Sequence, residues 1–346
     1  MPFPDFIRIV KDAWHNYDQS RSIKSVRDIS AHVSTNHVYR IDFEGSQPVI
    51  AKLSYFGYYE HFVEDHTIIN SLANNLPAPY ENLLSRSLMK GNELFIYRHR
   101  DSILDAWVVF YRPIEIRNRL PRRLDEHHIV ELGRQFAHFH KACSSIRNTL
   151  PRSSKTLKID MDHLLEITRT EVGQYEHRGH LDTINKHCQE FLQRGQSLGV
   201  DSLPALPVFL DWNIGNFSVT DDLQLFSRWD YDWFRMGSRI LDFYFFSRVV
   251  SSVGDRSVFS YNISTLREER FILFLRHYHS EYPLTEIEIR FLPEAYRFFI
   301  LNYVIKDGRY FFHEIFATKL QMEAYESYLP SVANFPVDLL LKELNI

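Results

Sequence analysis

The sequence predicts an α+β protein of two lobes, with a small β-rich N-terminal lobe and a larger, mostly α-helical C-terminal lobe. Short runs rich in Val, Ile and Tyr alternate with turn residues up to residue 113, a pattern typical of antiparallel strands. Beyond residue 115, apolar residues recur mainly at helical spacing. At 346 residues the chain is long enough to build both units, and we expect lobes 1–113 and 114–346.

The N-terminal lobe is predicted to begin with a helix over residues 3–17, where Phe6, Val10 and Trp14 fall on one face. A second helix over 59–74 must end before Pro77, because proline interrupts helical hydrogen bonding. Gly45 and Gly91 lie in turns between strand-like runs. The predicted strands are His37–Phe43, Pro48–Ser54, Asn82–Met89, Glu93–His99 and Ala106–Tyr111.

The C-terminal lobe is predicted to begin with a long helix whose apolar stripe includes Ile129, Phe136 and Cys143. Most of the remaining chain is also predicted to be helical. These helices lie near 160–175, 179–195, 239–252, 265–281, 285–306 and 309–327. One stretch of short strands and polar loops, Pro207–Gly237, interrupts them, and its polar residues make it the candidate for chemistry.

Composition excludes several functional classes. The chain carries 40 Lys and Arg residues against 44 Asp and Glu residues, a net charge of −4 without a long run of one sign, so we expect neither nucleic acid nor a membrane surface as a partner. No uncharged apolar run approaches the roughly 18 residues that a membrane span needs. Two cysteines, Cys143 and Cys188, are too few for a disulfide framework or a four-cysteine zinc site. A cytoplasmic protein fits this cysteine usage.

Three polar residues of the Pro207–Gly237 stretch have a spacing that suits phosphoryl transfer. Asp211 follows one short apolar strand, Asn216 lies five residues later, and Asp230 ends the next strand. Transfer of a γ-phosphoryl group needs a carboxylate to orient the attacking hydroxyl and accept its proton, and hard oxygen ligands to hold Mg²⁺ on the triphosphate. We therefore predict Asp211 as the catalytic base and Asn216 and Asp230 as metal ligands.

This stretch resembles the catalytic loop of the aminoglycoside phosphotransferase and choline kinase superfamily, which has a protein-kinase-like fold. That loop usually reads His-Gly-Asp-x-x-x-x-Asn, followed by Ile-Asp-Phe/Trp. Phe209 and Leu210 replace the usual His-Gly, whereas Asp211 and Gly215 match the pattern. The resemblance implies that Gly215 supports the loop and that Asp242, at the start of the next helix, braces it.

The resemblance also implies a phosphate-pairing lysine and an acidic partner for it. Lys52, in Val-Ile-Ala-Lys, stands where the lysine of the family ends its strand motif. Local sequence alone favours an exposed strand lysine, whereas the position of Lys52 relative to the Asp211 loop favours the phosphate-pairing role. Its partner should lie on the following helix, where Glu64 and Asp65 are adjacent candidates. We favour Glu64 because its side chain reaches further.

The rest of the predicted nucleotide site consists of a loop and a connection between the lobes. Ser34, Thr35 and Asn36 offer hydroxyl, amide and backbone donors to phosphate oxygens, although the same residues are typical of a simple tight turn. The adenine is expected against the interlobe connection, beside Arg112 and Ile114.

Taken together, these features predict a cytoplasmic, ATP- and Mg²⁺-dependent phosphotransferase acting on a hydroxyl group of a small molecule, such as an amino alcohol, a hydroxy amino acid, a sugar or an aminoglycoside. Two alternatives stay open. The first is a Ser/Thr protein kinase of the stress-response type in the same superfamily. The second is a pseudokinase that binds nucleotide or a partner without turnover.

We expect the acceptor to bind in the C-terminal lobe, against Asp232, Trp212 and Trp233. Glu294 and Glu314 place further carboxylates among the aromatic residues of this lobe. Such a combination suits an amine or quaternary ammonium through charge pairing and cation–π contact. The alternative is that the aromatic residues simply pack the core of the lobe.

Overall fold

A computed structural model describes residues 4–30, 36–253 and 260–346 of the chain. It confirms the two-lobed α+β fold that the sequence predicts, with a five-stranded antiparallel sheet in the N-terminal lobe and a C-terminal lobe that is mostly helical. Ser34 and Thr35 of the predicted phosphate loop lie outside the described residues.

The N-terminal lobe places Lys52 on a central strand of its sheet. The elements of this lobe are α1 (Phe6–Tyr17), β1 (Ile23–Asp28), β2 (His37–Phe43), β3 (Val49–Ser54), α2 (Tyr59–Asn75), β4 (Met89–Lys90), β5 (Glu93–Leu94), β6 (Ile96–Arg100) and β7 (Asp105–Tyr111). The strands of the main sheet pair in the order β1-β2-β3-β7-β6. Lys52 of β3 lies opposite Val38 of β2 and Val109 of β7, so both of its neighbouring strands hold it in place.

The two faces of this sheet are buried in different ways. On one face, the ring of Trp14 in α1 lies 4.5 Å from that of Phe43 and 5.2 Å from that of Phe110. Helix α2 covers the other face, and its Ile68 and Leu72 belong to the core of the C-terminal lobe. Because α2 shares the larger core, it links the N-terminal sheet to the C-terminal lobe.

The C-terminal lobe surrounds four short strands with helices. Its elements are α3 (Glu126–Ile146), α4 (Leu157–Ile167), α5 (Glu171–Glu176), α6 (Leu181–Leu198), β8 (Leu206–Val208), β9 (Phe217–Val219), β10 (Leu225–Arg228), β11 (Arg235–Gly237), α7 (Phe243–Val250), α8 (Glu269–Glu281), α9 (Glu286–Phe299), α10 (Gly308–Phe311), α11 (Glu314–Glu323) and α12 (Val337–Leu344). Residues Ile300–Lys306 continue α9 as a π-helix. Among the described helices, none combines the length and the hydropathy that crossing a bilayer requires.

Helices α3 and α8 approach each other closely at Gly133. A Cβ atom at this position would lie 2.7 Å from the carbonyl oxygen of Phe274, so only glycine permits this contact. The close approach brings His140 of α3 against Tyr278 of α8, where Nδ1 of the histidine and the tyrosine hydroxyl are 2.7 Å apart. This pair lies directly behind the candidate site.

Several predicted elements differ from the structure. Residues 82–88 form turns and isolated bridges instead of a strand, because the apolar Leu83 and Leu84 are buried by tertiary contacts rather than by a strand ladder. The helix predicted over 160–175 is divided into α4 and α5, since the Thr170 hydroxyl caps α5 by accepting the backbone N–H of Gly173. The helix predicted over 309–327 is similarly divided, and α12 was not predicted.

Candidate active site

Two pairs of short antiparallel strands bring the loops of the candidate site together. Strand β8 pairs with β11, and β9 pairs with β10. The backbone N–H of Trp229, just after β10, donates to the carbonyl of Asn216, just before β9, at 3.0 Å. The loop after β8 and the loop after β10 are therefore neighbours, and they carry Asp211 and Asp230 respectively.

The Asp211 carboxylate is held in one orientation by two amide side chains. Nδ2 of Asn216 donates to Oδ2 of Asp211 at 2.9 Å, and also to its carbonyl oxygen at 3.2 Å. Nδ2 of Asn213 donates to Oδ1. Both carboxylate oxygens thus accept a hydrogen bond, which fixes the side chain in its loop before any ligand binds.

Asn216 and Asp230 have the oxygen chemistry that a magnesium ion requires. Asn216 uses Nδ2 as a donor toward Asp211, so its Oδ1 is directed elsewhere as an acceptor. The side chain of Asp230 is 40% exposed, so a nucleotide-bound ion can reach it. Within the described ranges, no cluster of three or more His, Cys, Asp or Glu residues could hold a metal by itself. The site therefore fits an ion that also takes ligands from phosphate oxygens.

Lys52 connects the sheet of the N-terminal lobe to this acidic loop. Its ammonium forms an ion pair with Asp232 and lies 3.7 Å from Oδ1 of Asp230. Burial lowers the pKa of Lys52, and the Asp230 carboxylate opposes that shift. The Asn36 amide also donates to Asp232, and the Ser54 hydroxyl donates to Asn36 at 3.1 Å. Asp232, predicted as an acceptor-binding residue, thus instead joins Lys52 and Asn36.

The structure does not bring Glu64 to Lys52, and this corrects the predicted pairing. The Glu64 carboxylate accepts hydrogen bonds from the hydroxyl of Ser153 at 2.6 Å and from the backbone N–H of Ser154 at 2.8 Å. Burial acts to raise the pKa of Glu64, but these hydrogen bonds outweigh that effect, so the pKa lies below its usual value. The neighbouring Asp65 pairs with Lys155 at 2.6 Å. Glu64 and Asp65 therefore tie α2 to the segment before α4.

Asp242 braces the loop in the manner that the resemblance implies. Its side chain is fully buried, and Oδ1 accepts the backbone N–H groups of Phe209 at 3.0 Å and Leu210 at 2.7 Å. Oδ2 lies 3.1 Å from Nε2 of His140. Leu210 has a φ of 55°, in the left-handed region that disfavours residues other than glycine. Gly215 has no comparable role, because a Cβ atom there would contact nothing within 4 Å.

Sequence reasoning missed Arg228, which lies at the centre of the site. Its side chain is fully buried, and its guanidinium donates to the carbonyl oxygen of Asp211 at 3.2 Å and to that of Asp230 at 3.3 Å. The only sequence signal was an arginine at the end of the otherwise buried strand β10. An arginine at this position belongs to no motif of the resembled family, so the sequence alone does not indicate a role for it.

The interlobe connection holds the backbone of one of the two predicted adenine contacts. The backbone N–H of Arg112 donates to the carbonyl of Arg86 at 2.9 Å, and the Arg112 carbonyl accepts from the Ser85 hydroxyl at 2.6 Å. The backbone N–H and carbonyl of Arg112 are thus both hydrogen-bonded within the protein, whereas its side chain is exposed. Ile114, two residues further on, is half-buried and stays the predicted adenine contact.

The predicted aromatic cage for an amine is wrong. Trp212 is fully buried, and its ring lies 4.7 Å from that of Phe136. Trp233 is buried against Phe299, with 5.5 Å between ring centroids. Glu294 is also buried, and Arg297 and Arg194 neutralise it. These residues pack the interior of the C-terminal lobe, which was the alternative interpretation of its aromatic residues.

Comparison with solved structures identifies the fold. An amicoumacin kinase in complex with AMP-PNP and Ca²⁺ is 13% identical and gives a TM-score of 0.67, with 97% of each chain covered. The GDP complex of an aminoglycoside 2'-phosphotransferase-IIIa is 14% identical with a TM-score of 0.56, covering 96% of this chain and 100% of that one.

A choline kinase from Streptococcus pneumoniae is 11% identical with a TM-score of 0.56, again covering 96% of this chain and 100% of that chain. No protein-family model matches the sequence, and no curated protein matches it in sequence. The chain thus has the kinase-like fold of these enzymes, as predicted, although its sequence has diverged far from theirs.

Proposed function

We propose that this protein transfers the γ-phosphoryl group of ATP to a hydroxyl group of a small molecule. One observation carries the proposal: the amides of Asn213 and Asn216 orient the Asp211 carboxylate, and the neighbouring loop places Asp230 3.7 Å from Lys52. This is the set of groups that phosphoryl transfer to an alcohol requires. The names of the similar structures, which are kinases of amicoumacin and choline and an aminoglycoside phosphotransferase, support a small-molecule acceptor.

Asp211 acts on the acceptor. Its carboxylate accepts a hydrogen bond from the attacking hydroxyl, which aligns that oxygen with the phosphorus atom, and it takes the proton as the new bond forms. The amides of Asn213 and Asn216 keep the carboxylate in place while the acceptor enters. Because little reorganisation is then needed during the reaction, this orientation contributes to the rate.

Lys52 and the acidic loop act on the donor. Lys52 binds the α- and β-phosphates, in place of its pairing with Asp232. Asn216 Oδ1 and the Asp230 carboxylate would hold Mg²⁺, which neutralises charge on the triphosphate. Asp232 is then left beside Asn36, at the edge of the phosphate site.

We propose ATP rather than GTP as the donor, supported by the AMP-PNP bound to the amicoumacin kinase, whereas the aminoglycoside enzyme was solved with GDP. The cytoplasm is the proposed compartment, because Cys143 and Cys188 are buried free thiols of the kind that reducing conditions preserve. Titration with both nucleotides at equal Mg²⁺ distinguishes the donors.

The test is a screen for acceptor-dependent ADP release across amino alcohols, hydroxy amino acids, sugars, aminoglycosides and protein substrates. With the best acceptor, Asp211→Asn should lower kcat by about 10² to 10⁴, because the amide keeps the shape but does not accept the proton. Binding of ATP should survive. Asp222→Asn is the matched control, since Asp222 is exposed in the turn between β9 and β10.

Each outcome of the screen has a distinct meaning. Equal turnover in wild type and Asp211→Asn, with the same acceptor, would remove Asp211 from the role of base. Release of ADP only with protein acceptors would favour the protein-kinase alternative. Tight nucleotide binding without turnover for any acceptor would favour the pseudokinase alternative.

A further inference from the structure

We infer that Arg228 is a positioning residue for phosphoryl transfer: its guanidinium sets the distance between the loop that carries Asp211 and the loop that carries Asp230. The inference rests on the proposed function, because it assigns the two loops to the base and to a metal ligand. Arg228 touches neither donor nor acceptor and acts through the backbone of both residues.

The hydrogen bonds of Arg228 reach both loops from one rigid group. Nη1 and Nη2 each donate to the Asp211 carbonyl at 3.2 Å, and Nη2 also donates to the Asp230 carbonyl at 3.3 Å. The guanidinium is planar, so its nitrogens have fixed separations. The two carbonyl oxygens are therefore held at a separation that the arginine dictates.

Two aromatic rings fix the orientation of this plane. The guanidinium carbon lies 4.5 Å from the ring centre of Phe209 and 4.2 Å from that of Trp212. Phe209 lies two positions before Asp211 in the sequence, and Trp212 lies one position after it. The backbone N–H of Arg228 donates to the carbonyl of Leu83 at 2.7 Å, which anchors the residue outside the catalytic loop. Arg228 is thus attached to fixed structure at one end and to both functional loops at the other.

Charge alone does not account for this arrangement. Burial lowers the pKa of Arg228, and the carboxylates of Asp211, Asp242 and Asp230 oppose that shift without cancelling it, so these carboxylates would attract any cationic side chain here. A lysine would also be cationic, but its ammonium lacks the second nitrogen that Arg228 places on the Asp211 carbonyl, and it has no plane to lie flat on the two rings. Lysine at this position therefore separates the geometric role of Arg228 from its electrostatic role.

The experiment compares Arg228→Lys with Arg297→Lys. Arg297 is also buried, at 1% exposure, but it belongs to α9 and pairs with Glu190 and Glu294. Three quantities are measured: kcat for Mg²⁺-dependent ATP turnover, ATP affinity with and without Mg²⁺, and the temperature of thermal unfolding. Turnover is measured with the best acceptor from the screen, or with water as the acceptor if the screen finds none. We expect Arg228→Lys to lower kcat about 10- to 100-fold, as displacement of a reacting group by about 1 Å does.

Two further readouts separate positioning from folding. Arg228→Lys should raise the Mg²⁺ concentration for half-maximal activity while leaving metal-free ATP affinity within about twofold of wild type, since Lys52 is untouched. Arg297→Lys should lower the unfolding temperature at least as much as Arg228→Lys does. It should nevertheless keep the wild-type kcat per folded molecule. Unchanged kcat and Mg²⁺ dependence in Arg228→Lys would overturn the inference. So would a loss of activity fully explained by the unfolded fraction.

The remaining outcomes are also decisive. If Arg228→Lys does not fold, Arg228→Gln provides a second variant, whose shorter, uncharged side chain has one donor nitrogen in place of the two that hold the loops. Failure of both to fold, with Arg297→Lys folded, would assign Arg228 to stability and overturn the positioning role. Absence of Mg²⁺-dependent ATP binding in the wild type would instead overturn the proposed function itself, and this inference with it.

Discussion

Asp242 provides the sharpest test of how the loop that carries Asp211 is held. Its carboxylate is fully buried and accepts the backbone N–H groups of Phe209 and Leu210 at 3.0 and 2.7 Å, while its other oxygen faces His140 at 3.1 Å. We consider two changes at this position. Asp242→Ala removes all three contacts, whereas Asp242→Asn keeps an oxygen that can accept both backbone N–H groups.

The structure gives the expected size of each effect. Leaving two buried N–H groups without acceptors costs about 1–3 kcal/mol each, so Asp242→Ala should lower the free energy of unfolding by about 4 kcal/mol. In Asp242→Asn the bonds remain but lose the assistance of the negative charge, which is worth about 1 kcal/mol per bond. This variant should lose about 2 kcal/mol. Both losses are large against a total stability of roughly 5–15 kcal/mol.

The loop should also move, because Leu210 is strained. Its φ of 55° costs roughly 1–2 kcal/mol for a residue with a Cβ atom, and the hydrogen bond to Asp242 helps to hold it there. Without that bond, Leu210 can relax and carry its neighbour Asp211 away from the acceptor. A displacement of about 1 Å lowers kcat about 10²-fold, so Asp242→Ala should lose activity beyond its loss of stability.

Urea unfolding measures the stability change, and phosphoryl transfer at saturating ATP measures kcat. Leu340→Ala is the control, because Leu340 is buried in α12, on a helix that packs on α8 and α9, and its truncation costs about 2–5 kcal/mol. That variant should keep kcat per folded molecule. If Asp242→Ala kept wild-type kcat after the same correction, the bracing role would be refuted.

Two further predictions concern α2. Glu64→Gln should weaken the contacts to Ser153 and Ser154 yet change ATP affinity less than about threefold, because Lys52 does not pair with Glu64; calorimetry that showed a large loss of affinity would contradict this. Burial lowers the pKa of His66 to about 3, from 6.5. Since the unfolded chain then binds more protons below pH 6.5, the free energy of unfolding should fall by about 2 kcal/mol between pH 7 and pH 5, and His66→Gln should remove that part of the slope in urea unfolding.

The fold was largely predictable from the sequence, because its elements carry strong local signals. Helix α2 shows apolar residues at helical spacing and ends before Pro77, and the β2–β3 hairpin surrounds the turn at Gly45, whose φ is 69°. The predicted strand at 82–89 failed for a physical reason. Leu83 and Leu84 are buried by other parts of the chain, and an apolar run does not reveal which partner will cover it.

The candidate site was predictable only where its residues follow consecutive strands. Asp211 follows β8 and Asp230 follows β10, and the β9–β10 hairpin lies between β8 and its partner β11, so the proximity of the two loops follows from the local order of the strands. The partner of Lys52 depends instead on the rotation of α2 and on the packing of the two lobes. Glu64 looked suitable by position, but its helix face turns it toward Ser153. No local pattern in the sequence encodes that rotation.

Phe209 stands where the loop that this sequence resembles usually has a histidine, and its contacts indicate how the loop is supported without one. In kinases that histidine mainly supports the loop, a task that any suitably placed donor can perform. Here Arg228, nineteen positions further along the chain, donates to the carbonyls of Asp211 and Asp230. The guanidinium carbon of Arg228 lies 4.5 Å from the ring centre of Phe209. A cation over an aromatic face is attracted to the ring, so this contact is favourable. A comparison of motifs position by position counts Phe209 as a loss, whereas the contacts show that the phenylalanine and the arginine together hold the two loops.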